Sequence, residues 1–272
     1  MNHLPVDKRI QILSMLVEGS SMRSIERVCG VSINTVARYL DLAGDACAEH
    51  HDQYVRGIKG KRDVQCDELW SFVYAKDKSL EWATPWNDAG TVWTWTALDA
   101  KSKLFISYLF SLHRDADTAT ALFHDLNDRL ERRPRVTADS LKSYRKAARN
   151  VWGRKSELSQ VRKGEDTDHS TAYVERSNLT IRMGVRRYTR STNAFSKKAE
   201  FHMAAVHLML TYYNFCRIHK TLKVTPAMEA GLCSDLRDYD WLLDLVESAA
   251  PVPKKPGPKK GTKYRPRKRK AV

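Results

Sequence analysis

The hydrophobic period of this chain changes from helical to strand-like and back, and the order of those changes limits the folds open to it. Residues 5–42 repeat at helical spacing, residues 64–112 read as strands, and helix and strand signals alternate afterwards. The strand-like runs are 64–75, 91–98 and 104–112; the second, Thr91-Val92-Trp93-Thr94-Trp95-Thr96-Ala97-Leu98, is rich in β-branched and aromatic residues. Short connections make the three an antiparallel meander. The first connection, 76–90, holds Trp82, Pro85 and Trp86, whose tryptophans are read as core or loop packing rather than base stacking, and the second is the turn Asp99-Ala100-Lys101-Ser102. Residues 116–132 carry the apolar stripe Ala119, Leu122, Phe123, Leu126 and Leu130, and Pro134 stops that helix. A strand Arg135–Asp139, a helix Leu141–Trp152, a strand Leu158–Arg162 and a polar loop 163–170 follow. A helix then begins near Ala172, and residues 195–217 form one so apolar that it must be buried on several sides.

Three strands, helix, strand, helix, strand, helix is the order of an RNase H-like α/β fold, a mixed five-stranded sheet flanked by helices. In that order the first strand lies beside the fourth. Asp67, in the run Val64–Val73, and Asp139, at the end of the fourth strand, then become neighbours. Glu175, in the first turn of the following helix, is the third carboxylate of the set.

Three carboxylates drawn together repel, and one of them would ordinarily keep its proton. Divalent cations reverse this, and hard oxygen ligands suit Mg²⁺ or Mn²⁺. Asp67, Asp139 and Glu175 are therefore expected both as catalytic residues and as ligands of two such ions in phosphoryl transfer on a nucleic acid. Glu68 and Asp99 are the rivals. Strand alternation is expected to point Glu68 to the opposite face, and Asp99 sits in a turn. On the last helix, Asn178, Arg182 and Arg186 follow Glu175 at helical spacing and are expected, with Arg187, to contact DNA backbone. Arg190, Lys197 and Lys198 extend that basic surface, while Val174, Ile181 and Val185 form the buried face. His202, His207 and His219 are assigned structural or DNA-contact roles.

At the start of the chain, Ile10, Leu13 and Leu16 mark one helix and Met22, Ile25 and Val28 a second. After Gly30-Val31, Ser32 caps a third with Ile33, Val36 and Leu40 inward. Two short helices joined by a glycine turn fit a helix-turn-helix. Asn34, Thr35, Arg38 and Tyr39 would face outward, suited to base edges and phosphates of a major groove. The expected division is a helix-turn-helix domain (1–45), a basic linker (46–63), a catalytic domain (64–220), a helical extension (221–250) and a disordered basic tail (251–272).

Charge agrees with a polyanionic partner. The net charge is +15, and ten Lys and Arg fall in the last 22 residues with no acid. No apolar run approaches the roughly 18 residues of a membrane span, and there is no secretory signal at the start. The five cysteines are scattered without zinc or redox spacing, as in a reducing compartment, so a cytoplasmic, nucleoid-associated location is expected.

Several segments resemble the insertion-sequence-one family of bacterial DDE transposases. They are 66–73 (Cys66-Asp67-Glu68-Leu69-Trp70-Ser71-Phe72-Val73), Thr137-Ala138-Asp139, 174–182, Arg186-Arg187-Tyr188-Thr189-Arg190, 193–198 and 212–222 (Tyr212-Tyr213-Asn214-Phe215 to Thr221-Leu222). The resemblance covers roughly residues 20–232 and implies an RNase H-like core with Asp67, Asp139 and Glu175 as its catalytic acids. It implies metal-dependent cleavage at transposon ends and joining of the 3′-hydroxyl to target DNA. The helix-turn-helix would bind the terminal inverted repeats, and at least a dimer would pair two ends. The chain departs from the family twice: no cysteine-rich finger precedes the helix-turn-helix, and Ser140 follows Asp139 where glycine is frequent. A catalytically silent DNA-binding regulator and a structure-selective RNase H-like nuclease are the competing functions.

Overall fold

A computed structural model describes residues 4–82, 89–161, 170–189 and 192–250. Expectations for Trp86, for most of the 163–170 loop, for Arg190 and for the 251–272 tail fall outside these residues. The chain begins with α1 (Val6–Val17), α2 (Met22–Cys29) and α3 (Ile33–Tyr54). Then come β1 (Asp63–Val73), β2 (Gly90–Asp99), β3 (Phe105–Ser111), α4 (Ala116–Arg129), β4 (Arg135–Asp139), α5 (Lys142–Trp152) and β5 (Glu157–Val161). The described chain ends with α6 (Ala172–Gly184), α7 (Ala199–Phe215), α8 (Pro226–Glu229) and α9 (Tyr239–Ser248).

The sheet order is β3-β2-β1-β4-β5. β1, β2 and β3 pair antiparallel, whereas β4 pairs parallel with both β1 and β5. A hairpin suffices for each antiparallel step, but a parallel neighbour needs a crossover, and α4 and α5 supply the two crossovers. This is the RNase H-like fold. The register sets Cys66 opposite Ala138, one residue short of Asp67 and Asp139.

Helices cover both faces of the sheet. On one face Val64, Cys66, Trp95 and Val136 pack beneath Phe123 of α4 and Tyr144 and Trp152 of α5. The ring of Phe123 stacks on Tyr144 at 5.7 Å and on Trp152 at 4.9 Å, and Trp95 meets Tyr144 edge-on at 5.5 Å. On the other face Leu69, Leu98 and Phe105 pack against Val174 and Ile181 of α6 and Val206, Met209 and Leu210 of α7. α7 is buried on several sides, as its composition requires, because α3 and α9 cover its outer flank through Ala204 and Leu208.

The three N-terminal helices form as their caps predict. Ser21 and Ser32 cap α2 and α3, and Gly30 closes α2 in the left-handed region at φ +63°. Glu26 Oε1 accepts the backbone N–H of Ile33 and braces the turn. Two expectations are corrected. The buried face of α2 is Ile25 and Cys29, and Val28 is exposed. The linker expected over 46–63 is helix as far as Tyr54, because α3 continues with Ala43, Ala46, Cys47 and His51 buried. Small residues hidden in a polar-looking stretch carry that contact.

Gly44 sits where α3 crosses α7, and a Cβ there would lie 2.5 Å from Ala204 Cα. Gly44→Ala gains about 1 kcal/mol of helix propensity, but overpacking costs about 1–3 kcal/mol and must displace the helix backbone. The variant is expected to melt lower in thermal denaturation; an unchanged or higher Tm would show that α3 and α7 do not touch here.

Candidate metal centre and nucleic-acid interface

β4 ends at Asp139, so no strand pairs with that edge of β1 beyond Cys66. Asp67 and Asp139 lie at this step in the sheet. Each spends one oxygen on backbone. Asp67 Oδ1 accepts the N–H of Glu68 (2.8 Å), and Asp139 Oδ1 accepts the N–H of Leu141 (2.9 Å). The second bond forms an Asx turn across Ser140, so glycine is not needed to turn the chain after Asp139. The remaining oxygens face the site: Asp67 Oδ2 accepts from Asn178 Nδ2 at 2.7 Å and Asp139 Oδ2 from Arg114 Nη2 at 3.3 Å.

Glu68 leaves β1 on the side opposite to Asp67, as strand alternation requires, yet its carboxylate reaches this edge and joins the cluster. Carboxylate oxygens of Asp67, Glu68 and Asp139 all lie within 4.8 Å of one another. The missing neighbour strand leaves space at the edge of β1, and Arg114 gathers Glu68 and Asp139 together. Its Nη2 is 2.8 Å from Glu68 Oε2, and its Nε donates to the same oxygen. Arg114 precedes the N-cap of α4, and nothing in its local sequence marks it for this place.

Glu175 stands differently. It is in the first turn of α6, and its Oε1 accepts from Thr171 Oγ1 at 2.6 Å. It is outside the tight three-residue group, yet its charge reaches Asp67. Gln65 of β1 holds α6 in position: its Oε1 accepts the N–H of Val174 and its Nε2 donates to Ser170 O. Asp99 is buried at the opposite end of β2, where it holds the β2–β3 turn through Ser102 and pairs with Arg62.

Burial raises the carboxyl of Asp67 above its usual range; hydrogen bonds from Glu68 N and Asn178 oppose this, and Asp139 and Glu175 add to it. Burial lifts Glu68 to about 7, against the nearby Tyr144 hydroxyl and the pull of Arg114. Its Oε1 is buried with no hydrogen-bond partner of good geometry, and so is the facing hydroxyl of Tyr144, itself raised by burial and by Glu68. An orphaned carboxylate oxygen among clustered hard donors is what a divalent cation would satisfy, so the residues fit Mg²⁺ or Mn²⁺.

The remaining expected contacts separate into groups. Asn178 is buried and bonds Asp67, with Thr96 Oγ1 donating to its other end, so it positions an acid. Arg182 and Arg186 line a groove of about 620 Å³ between the α1–α2 turn and the end of α6. Arg187 is largely buried; its Nε donates to Ser196 Oγ at 2.5 Å and desolvation lowers it to about 10. Asn34 and Arg38 are exposed on α3, but Thr35 and Tyr39 are half-buried and Tyr39 packs on the α1–α3 core. His202 bonds Ser71 and His207 bonds Tyr108, and burial depresses them to about 3 and about 4.

No family model and no curated protein matches the chain. Among solved structures it is similar to a chain of the simian T-cell lymphotropic virus intasome in complex with PP2A regulatory subunit B56 gamma, at 13% identity and TM-score 0.44. That match covers 77% of this chain and 62% of the other. It is also similar to the Mos1 strand transfer complex (14% identity, 77% of each chain, TM-score 0.28). The Mos1 mariner paired-end complex with Mn gives 14% identity over 79% of this chain and 80% of that one, TM-score 0.28. Among the described residues no helix is long and apolar enough to cross a membrane.

The raised carboxyl of Glu68 makes stability depend on pH in a known direction. Its contribution is fully present below the unfolded value near 4.5 and is lost as pH rises through about 7. Buried His202 and His207 act oppositely below their ordinary 6.5, so the difference between two proteins is the clean readout. In EDTA, Glu68→Gln is expected to gain stability relative to the parent between pH 4.5 and 7. A constant difference in urea-melt midpoint across that range would contradict the placement of Glu68.

Proposed function

We propose that the chain is a DDE-type transposase that cuts DNA at the ends of an insertion element and joins the freed 3′-hydroxyl to target DNA. The observation that carries this reading is the meeting of Asp67 and Asp139 at the edge where β4 stops, with Glu68 beside them and Glu175 within electrostatic reach. Asp67, Asp139 and Glu175 are the catalytic acids of the proposal, and together they hold two Mg²⁺ or Mn²⁺ ions. Such a pair, when bound, supplies charge stabilisation for the attacking and leaving phosphodiester oxygens.

The chain's own groups supply the rest. Backbone N–H groups fix one oxygen of each aspartate, so the other is aimed before any ligand arrives. Asn178 fixes the rotamer of Asp67. Arg114 holds Glu68 against Asp139 and offsets like-charge repulsion in the free protein. Asn34 and Arg38 on α3 would read the element's terminal repeats, with Thr35 and Tyr39 at the margin of that surface, while Arg182 and Arg186, in the groove at the end of α6, would hold DNA backbone, with Arg187, bonded to Ser196, adding positive charge beneath them. The basic tail, 251–272, would add salt-sensitive attraction to phosphates. Two element ends must be held together for joining, so the active species is expected to be at least a dimer on DNA.

The test is a cleavage and strand-transfer assay on element-end duplexes with Mg²⁺ or Mn²⁺. Asp67→Ala, Asp139→Ala and Glu175→Ala are each expected to abolish both steps while leaving DNA affinity intact. Strand transfer retained by any of them would remove that residue from the catalytic set. Binding without cutting by the parent would favour a regulator, and cutting without joining a nuclease. Asn178→Ala is expected to weaken Mn²⁺ binding, followed by titration calorimetry, about 10–100-fold, the usual cost of losing a group that orients a metal ligand. An unchanged affinity would make its bond to Asp67 incidental.

A further inference from the structure

Beyond the acids, β1 and β2 continue as a two-stranded ribbon whose face is unusual. Glu68, Trp70 and Phe72 alternate onto one side of β1. Trp93 of β2 is the cross-strand partner of Trp70 and shares that side. The ring of Phe72 lies 5.8 Å from Trp70 and 5.0 Å from Phe195, which is delivered by the segment before α7. Trp93, Trp70, Phe72 and Phe195 are all half-buried, so each ring is supported by the protein and keeps surface open to solvent.

Cations accompany the rings along the row. The Arg114 guanidinium lies 5.1 Å from the centre of Trp93, and the same group bonds Glu68 and Asp139. Lys76 Nζ stands 5.7 Å over Phe72, and Lys197 Nζ stands 4.2 Å over Phe195. Both lysines are exposed and flexible enough to swing off the rings. The far end is held firmly: Val73 bridges Ser196, Tyr74 N–H donates to Ser196 O, and Arg187 donates to Ser196 Oγ. Tyr74 takes a left-handed backbone, φ +63°, to make that junction, a conformation costly for a non-glycine residue.

We propose that this row, Trp93-Trp70-Phe72-Phe195 with Lys76 and Lys197, is a stacking platform for single-stranded DNA leading away from the acidic cluster. Aromatic rings beside mobile cations are the ingredients of sequence-tolerant single-strand binding, bases on rings and phosphates on lysines. Ring separations of 5.0 and 5.8 Å exceed the roughly 3.4 Å rise of stacked duplex bases. Only a strand whose bases are drawn apart can match them one to one. Trp93 begins the row at Arg114, so the unpaired nucleotides would be those next to the phosphate at the acids. The inference rests on the transposase reading and refines it: the DNA end is bound frayed, its bases out of the duplex.

The test uses the full chain in EDTA, where no chemistry occurs, so its outcome is independent of whether the acids are catalytic. Fluorescence anisotropy compares a blunt duplex with the same duplex bearing a short thymidine 3′ extension at equal salt. The parent is expected to prefer the extended duplex. Trp70→Ala with Phe72→Ala is expected to lose roughly 5- to 150-fold in affinity for it, the usual worth of a stacked base, and to keep its affinity for the blunt duplex. Trp70→Phe should retain the preference. Lys76→Gln with Lys197→Gln, which leaves the ribbon's packing intact, should flatten the salt dependence on the extended duplex by about 0.7 per lysine. A parent with no preference, an aromatic double variant that keeps it, or an unchanged salt slope overturns the platform. Strand transfer that depends on Asp67 and Asp139 would survive that result.

Discussion

The parallel pairing of β1 with β4 is the constraint on which the site depends. Setting Cys66 against Ala138 brings Asp67 and Asp139 to the same level of the sheet from positions far apart in the chain. A slip of one residue would turn the slipped strand's carboxylate to the opposite face, among the α4 and α5 aromatics, and part the two acids. That slip is opposed by packing: Val64, Cys66, Val136 and Ala138 fit beneath Phe123 and Tyr144, and burying one large apolar side chain stabilises by about 1.5–3 kcal/mol. Core packing on one face thereby sets the position of the acids at the sheet's edge.

Holding acids together costs free energy, and the structure shows how the cost is met. Backbone N–H groups, the Asn178 amide and the Arg114 guanidinium each stabilise a charge that its neighbours disfavour. The compensation is incomplete at Glu68, where desolvation outweighs the pairing with Arg114. A buried oxygen left unsatisfied there marks the place where an added cation would gain most.

Much of this was legible in the sequence because period and caps act locally. Strand alternation in 64–75, the stripe of Phe123 and Leu126, and the serines at 21 and 32 each respond to forces within a few residues, and the elements formed where those signals placed them. The sheet order was legible through the element order. What local pattern could not convey was reach. Glu68 was set aside because adjacent residues in a strand diverge; it does lie on the α4/α5 side with Trp70 and Phe72, but where β4 stops its carboxylate can reach the sheet edge and meet those of Asp67 and Asp139. Asn178 looked like a surface amide on a helix face shared with arginines, and only the closeness of α6 to β1 turns it inward. Arg114 carries no local signal, since its partners come from β1 and β4. The extension of α3 past residue 45 was masked by charged residues that coat one side of a helix whose other side is Ala43, Ala46 and Cys47.

That extension alters how the two candidate DNA surfaces relate. Asn34 and Arg38 are near the start of a 22-residue helix whose later turns pack on α7, and α7 packs on the sheet that carries the acids. Gly44 against Ala204 permits the closest approach along that path, and Gly19 gives a second, its backbone lying against Gly184 at the end of α6. A flexible linker would let the N-terminal helices move freely of the core. A continuous helix held at Gly44, with the α1–α2 turn seated at Gly19 against α6, instead holds α3's exposed start at a set distance and angle from Asp67 and Asp139. On the proposed reading, the position of the cut relative to the recognised bases then follows from helix packing.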